Sequence, residues 1–530
     1  MTRATIQALR QAMRGVDARR KMLPIIERAI TVNNDLKSRG DSLAKTFFRH
    51  RRDFATLSLD HEQIRAQEKS LEKAFRTKLS DEDKRCNFLM SKASFECDFK
   101  NKKFIIANRE ETKKAFCKEF PVGMFNGKAE FDFLQFEMVI LGTMNGHFKA
   151  YPKLSDTKVS FASPETASPK ESKKKIFSYS EHRLMGLISQ VKRSQGTPEY
   201  FASYVFEFCR DLIKQTTIES AIEKLGFKKE IYGRLSPDFT STTDWSCFSR
   251  DDNVIIGNQI FHTDQKLVDE RLGLHHSIFI PPNSFLGLAQ KAQNIGLADA
   301  LKSGLKVDNS MPFFVKGGNV VFDSKKNKVF LCVSEDYYDE SSKGLSKIEF
   351  YKAMIVNENG DLEEISDYKK YCDFVKNWGE ENGFEVEIID RNTDKYSLNK
   401  IYHLDVFMNV VGDYLMIYKD AVTPETFSNL QDIYGDKIIE ISQRDWVNLA
   451  TNFISLDDKN IIFTSNEVSD ELVKKLNERG INCALPSIFL GLHEGEDGLR
   501  CKTSELDTSR TPKIRGSKKL QEESQEIIYL

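Results

Sequence analysis

Ile401-Tyr402-His403-Leu404-Asp405-Val406-Phe407, taken together with Gly498-Leu499-Arg500-Cys501-Lys502-Thr503 near the end of the chain, decides how this sequence is read. The two segments supply a histidine, a carboxylate and a cysteine. Both read locally as strand or strand end. His403 and Asp405 sit two apart, and the period of two along a strand points both side chains at one face. Downstream, Val406 to Val411, a Gly412-Asp413 turn and Leu415 to Tyr418 spell an apolar hairpin. Cys501 follows the acidic run Glu494-Gly495-Glu496-Asp497-Gly498. Its thiol therefore emerges at a chain reversal, where substrate can reach a nucleophile.

Two more stretches lie upstream, in order: Trp245-Ser246-Cys247-Phe248-Ser249-Arg250-Asp251 and Lys316-Gly317-Gly318-Asn319-Val320-Val321-Phe322. The ordered set resembles the guanidino-modifying (pentein) superfamily of arginine and agmatine deiminases, dimethylarginine hydrolases and amidinotransferases. That family carries an F-x-R-D strand, an E-G-G-D/N-V segment, an H-x-D motif and a G-x-x-C-x-T motif. The resemblance covers roughly residues 235 to 510. It implies a five-fold β/β/α/β propeller over 231–508, a fold that periodicity alone does not reveal. It also implies Cys501 as nucleophile, His403 as proton carrier, Asp405 and Asp251 as ligands of the substrate cation, and no cofactor. Arg250, Asn319 and Arg500 are further candidates for substrate binding. Arg500 either lowers the thiol pKa, binds a substrate carboxylate or points away. Asn319 and the Gly317-Gly318 pair serve the site or form a tight turn. Asp251, beside Arg250 and Asp252, binds substrate or joins a surface ion pair.

One position departs from the pattern. Where the family usually has Glu or Asp before the Gly-Gly pair, hydrogen-bonded to the catalytic histidine, this chain has Lys316. A cation can neither accept the imidazole proton nor stabilise the imidazolium. Another carboxylate replaces it, or the Gly-Gly alignment is displaced, or the chemistry is altered or lost.

The residue types suit the implied reaction. A guanidinium is planar and a poor electrophile, so attack at its carbon needs a thiolate and carboxylates that hold the cation flat. A free thiol of pKa about 8.5 is only a few per cent ionised at neutral pH, so a neighbouring cation matters, and bound substrate is one. A lone cysteine is more often an inert buried apolar residue; the motif around Cys501 argues otherwise.

Composition bounds the rest. The chain has 530 residues, a length that fits three or four domains, and 30% of them are charged. A net charge of −1 speaks against nucleic acid or an anionic membrane as main partner. Nine cysteines without a C-x-x-C pair argue against a disulfide framework or zinc ribbon and for a reducing, cytoplasmic setting. No signal peptide and no apolar run of about 18 residues is visible. His275-His276 has no acidic or cysteine partner at ligand spacing, so no metal is expected. No phosphate-binding G-x-x-x-x-G-K-[ST] loop occurs.

In chain order, residues 1–85 read as a helical hairpin or bundle, a candidate surface for a protein partner, with basic runs Arg19-Arg20-Lys21 and Arg49 to Arg52 on it. Residues 86–153 read as a small strand-rich α+β segment, with Phe131 to Leu141 strand-like from its aromatic and β-branched content. Residues 154–176 have linker composition, 177–230 helical periodicity, and 231–508 alternate strands with helices such as Tyr368 to Asn382 and Ser469 to Arg479. The tail 509–530 is polar. Its Glu-rich patch before an apolar C-terminus resembles the export signal of bacterial type IV secretion effectors. The expectation is an α/β chain whose cysteine-dependent enzyme domain acts on a guanidino small molecule or a protein arginine. The alternative is a catalytically reduced pentein serving as a protein-interaction module.

Overall fold

A computed structural model describes residues 81–124, 127–150, 157–162, 172, 174–179, 198–235, 250, 254–257, 259–264, 267, 306–334, 337–338, 350–398, 400–491 and 498–507. The helical N-terminal reading up to residue 80, residues 245–249, Asp251, the His275-His276 pair and the tail 509–530 lie outside the described residues. The chain divides into two units: 1–156 with 180–218, and 157–179 with 219–530.

In the first unit, helix α1 (Asp81–Lys92) leads into the antiparallel hairpin β1 (Phe95–Asp98) and β2 (Lys103–Ile106), then α2 (Arg109–Glu119) and α3 (Ala129–Ala150). Residues 131–141, expected as strand, are interior to α3. Phe133, Phe136, Ile140, Met144 and Phe148 are all buried and recur at spacings of three and four, so one stripe of the helix is apolar. That period, and not β-branched content, decides the element.

The second unit contains β3 (Lys158–Ser160) and β4 (Lys174–Tyr179), within and just beyond the stretch read as linker. Helix α4 (Pro198–Lys224), inside which the two units divide, precedes β5 (Tyr232–Leu235). Then come β6 (Val254–Ile256), β7 (Gln259–Thr263), β8 (Lys306–Met311), β9 (Val320–Asp323), β10 (Lys328–Leu331), and the hairpin β11 (Ala353–Val356) and β12 (Leu362–Ile365). Helix α5 (Tyr368–Glu381) is followed by β13 (Glu385–Ile388), β14 (Met408–Val411), β15 (Tyr414–Ile417), α6 (Pro424–Tyr434), β16 (Ile438–Glu440) and α7 (Gln443–Val447). The chain closes with β17 (Ile454–Ser455), β18 (Asn460–Ile462), α8 (Asp470–Glu478), β19 (Asn482–Leu485) and β20 (Thr503–Asp507).

Among the described residues, one pattern recurs in five sheets: an antiparallel pair whose second strand takes a parallel third. The triplets are β6-β7-β8, β9-β10-β13, β14-β15-β16, β17-β18-β19 and β20-β4-β5, with β3 added antiparallel to β19. A parallel neighbour cannot be reached by a tight turn and needs a crossover. Helices α5, α6 and α8 supply it before β13, β16 and β19. Each starts on a side-chain cap: Asp367, Thr423 and Ser469 accept from Lys370, Thr426 and Leu472 backbone N–H groups. The expected hairpin at 408–417 turns at Gly412, whose φ of +58° favours glycine and where a Cβ would lie 2.5 Å from the Asp458 carbonyl.

Two apolar clusters hold the sheets. One gathers Phe407, Leu415, Ile417, Phe453 and Ile461; the other surrounds Phe313 with Val375, Trp378 and Phe384. Two short 3-10 turns, Gly317–Asn319 ahead of β9 and Leu404–Val406 ahead of β14, pack on each other. The strands that open neighbouring sheets thus begin side by side. No helix among the described residues is long and apolar enough to cross a membrane.

Candidate active site

His403 and Asp405 do not lie on a strand. His403 caps the 3-10 turn Leu404–Val406, closed by Phe407 N–H donating to the Leu404 carbonyl at 3.1 Å, and Asp405 is inside that turn. The strand reading fails because the chain folds back for three residues before β14 begins. The two side chains nevertheless approach each other, and both meet Cys501 from the turn that precedes β20. One nitrogen of His403, one oxygen of Asp405 and the sulfur of Cys501 all lie within 4.8 Å of one another, and all three residues are buried. Asp405 thus puts a carboxylate beside the imidazole, whatever stands at position 316.

Arg500 does not point away. Its Nη1 donates to Asp405 Oδ2 at 2.8 Å in a fully buried ion pair, and its Nη2 donates to the Val320 carbonyl at 3.3 Å. The other oxygen of Asp405 faces Cys501 Sγ at 4.0 Å. Arg250 is equally buried; its Nε donates to the Arg500 carbonyl at 2.8 Å and its Nη2 to Glu505 Oε1 at 3.2 Å. Burial, then the neighbouring Arg500, push the Arg250 pKa down to about 10, against the pull of Glu505 and Asp405. Glu505, in β20, also lies 3.9 Å from Arg500 Nε and 3.7 Å from Lys174 Nζ.

Asn319 stands further back. Its Oδ1 accepts from Arg391 Nη2 at 2.6 Å, and the same nitrogen donates to the Tyr402 carbonyl at 2.7 Å. Arg391 Nη1 reaches the Val333 carbonyl at 2.6 Å. The Asn319–Arg391 pair therefore holds the backbone that presents His403. Lys316 is buried, and its carbonyl accepts from Asn319 N–H at 2.9 Å.

Sequence reasoning missed Asn452 and Glu505. Asn452 Nδ2 donates to Cys501 Sγ at 3.2 Å. Neither residue sits in a motif, and nothing local marks them.

Histidine, carboxylate and thiol are also a donor set able to hold a metal ion. Arg500 Nη1 already takes one oxygen of Asp405, which leaves that carboxylate its other oxygen on the side of Cys501.

Lys502, next to the nucleophile candidate, is buried, and its Nζ donates to the Leu490 carbonyl at 3.1 Å. Burial pushes its pKa down to about 7. From pH 7 towards the ordinary lysine value, the unfolded chain then binds a proton that the folded chain does not, so stability rises with pH across that window. At about 1.4 kcal/mol per tenfold change in proton affinity the ceiling is several kcal/mol. Lys502→Met should flatten the rise in unfolding midpoint between about pH 7 and 9, as followed by denaturant titration at each pH. An unchanged slope would mean that Lys502 stays charged in the fold.

No protein-family profile and no curated protein sequence matches the chain. Several solved structures do. The N-terminal domain of ArgZ, an arginine dihydrolase from the ornithine-ammonia cycle in Cyanobacteria, bound to substrate, is 15% identical, with 63% of this chain and 98% of that one covered and a TM-score of 0.38. A dimethylarginine dimethylaminohydrolase adduct with S-methyl-L-thiocitrulline is 14% identical over 64% of this chain and 99% of that one, with a TM-score of 0.35. AgrE in complex with L-arginine is 14% identical over 56% and 36%, with a TM-score of 0.36.

Proposed function

We propose that this chain is a pentein-type, cysteine-dependent enzyme acting on a guanidino group, either as a deiminase or other hydrolase or as an amidinotransferase. The observation that carries the reading is the meeting of His403, Asp405 and Cys501, from two distant motifs, within 4.8 Å. The recurring antiparallel-then-parallel triplets support a five-bladed arrangement around them.

In the reaction, the Cys501 thiolate attacks the guanidinium carbon to give a tetrahedral adduct. His403 donates a proton to the departing nitrogen, which leaves as ammonia or an amine while the C–N bond breaks, and a thiouronium remains on sulfur. Water or an acceptor amine then attacks the same carbon, His403 takes its proton, and the C–S bond breaks to return the thiol. Asp405 and Asp251 hold the cation flat by paired hydrogen bonds. Asp405 is engaged by Arg500, so a substrate guanidinium competes with a resident one of the same shape and charge.

The second reading, a reduced pentein used as an interaction module, is favoured by Lys316 at the usual carboxylate position and by the Arg500–Asp405 pair. Product analysis separates the two. Incubation with arginine, agmatine, methylated arginines and an arginine-containing peptide should release ammonia, a methylamine or an amidino-transfer product from at least one. Release from none, with and without an added acceptor amine, would favour the module.

A further inference from the structure

We propose that Asn452 is the positioning residue of the nucleophile: its carboxamide fixes Cys501 and stabilises the thiolate. This rests on the reading of Cys501 as the nucleophile and adds to it a residue outside every motif. The carboxamide orientation is settled by its other end. Asn452 Oδ1 accepts from Arg500 N–H at 2.8 Å, and a backbone N–H can only donate, so the NH₂ end must face Cys501 Sγ, 3.2 Å away. An N–H aimed at sulfur favours the charged form of the thiol.

The glycine of the G-x-x-C motif belongs to the same arrangement. A Cβ on Gly498 would overlap Asn452 Oδ1 and crowd its Cγ and Cβ, so the amide can bridge Arg500 and Cys501 only while residue 498 has no side chain.

Asn452 is held from three directions. Asn409, in β14, donates from Nδ2 to the carbonyls on either side of it, Thr451 at 2.9 Å and Phe453 at 3.3 Å. The Asn452 carbonyl accepts from Thr464 Oγ1 at 2.5 Å, and that hydroxyl accepts in turn from Leu499 N–H at 2.8 Å, two residues before the cysteine. Asn452 N–H donates to the carbonyl of Leu449, a residue with φ of +57°. That left-handed conformation is costly for a leucine and persists only where its surroundings impose it. Asn409, Thr451, Asn452 and Thr464 are all buried. The amide is therefore presented by a rigid frame.

The test reads ionisation of Cys501 without any substrate, so it stands or falls separately from the guanidino chemistry. Alkylation by iodoacetamide is followed against pH and resolved to the Cys501 peptide by mass spectrometry, for wild type, Asn452→Ala and Gly498→Ala. A lost hydrogen bond to a charged acceptor shifts the alkylation midpoint up by about one pH unit or more, and slows alkylation about tenfold at neutral pH. Gly498→Ala should shift it in the same direction by displacing the amide. A merely structural role changes access, and so the plateau rate, but leaves the midpoint in place. Should Asn452→Ala not fold, Asn452→Ser takes its place: its hydroxyl is too short to reach the sulfur. A midpoint equal to wild type in the folded variant overturns the proposal.

Discussion

Cys501→Ala should lower turnover of the best guanidino substrate by at least about a thousandfold in a protein that still folds cooperatively. The size of the loss follows from the absence of a replacement. Cys501 is the group that forms the bond to carbon in the proposed reaction. The other described cysteines lie elsewhere; Cys483, for example, contacts the carbonyl of Ile481 just ahead of β19, and burial pushes its thiol up to about 12. The fold should survive at a cost of about 1–3 kcal/mol, because the change leaves the buried Asn452 Nδ2 without its acceptor and opens a gap of about one atom. Steady-state assay and a thermal melt of the same preparation check both halves. Retained turnover in a folded variant would remove Cys501 from the mechanism.

The second large effect concerns Asp405 and Arg500. Asp405→Asn should destabilise the fold by about 3–5 kcal/mol, because it leaves a buried guanidinium without its closest counter-charge. Glu505, at 3.9 Å from Arg500 Nε and shared with Arg250, compensates only in part. Arg500→Met should cost a similar amount by stranding the carboxylate. The double variant Asp405→Asn with Arg500→Met should be less destabilised than the sum of the two single changes, since it removes both charges at once. Denaturant unfolding of the four proteins completes the cycle. Additive losses would mean that the pair contributes nothing as a pair. Free guanidinium at low millimolar concentration should raise the melting temperature of Arg500→Ala more than that of wild type, because in the variant it meets Asp405 without displacing a resident guanidinium.

Much of the candidate site was legible because the residues that meet there stand in short motifs. His403 with Asp405, and Cys501 after Gly498, carry their identity in fixed spacings. The hairpin at 408–417 and the helices near 368–382 and 469–479 carry theirs in local periodicity and turn residues. The strand reading of His403–Asp405 failed because a 3-10 turn reverses the chain for only three residues, too few to leave a periodic trace. Strands β3 and β4 hid in a polar stretch because their partners are remote. β3 pairs with β19 and β4 with β20, so no hairpin signal connects them. Residues 131–141 misled because aromatic content suggested strand while the spacing of buried positions was helical. Asn452 and the Arg500–Asp405 pair were invisible for a further reason. Each is a contact between ends of separate sheets, specified by the fold and by nothing in the neighbouring sequence.

The central claim is covalent catalysis at Cys501, and intact mass after acid quench tests it most directly. Wild-type protein is mixed with arginine, agmatine, methylated arginines or an arginine-containing peptide, quenched within the first turnover, weighed and then digested. The account predicts an added mass matching the substrate-derived amidino carbon unit, on the peptide containing Cys501, and none in Cys501→Ala. Product formed at full rate by the Cys501→Ala protein, or an adduct confined to another cysteine, would contradict it.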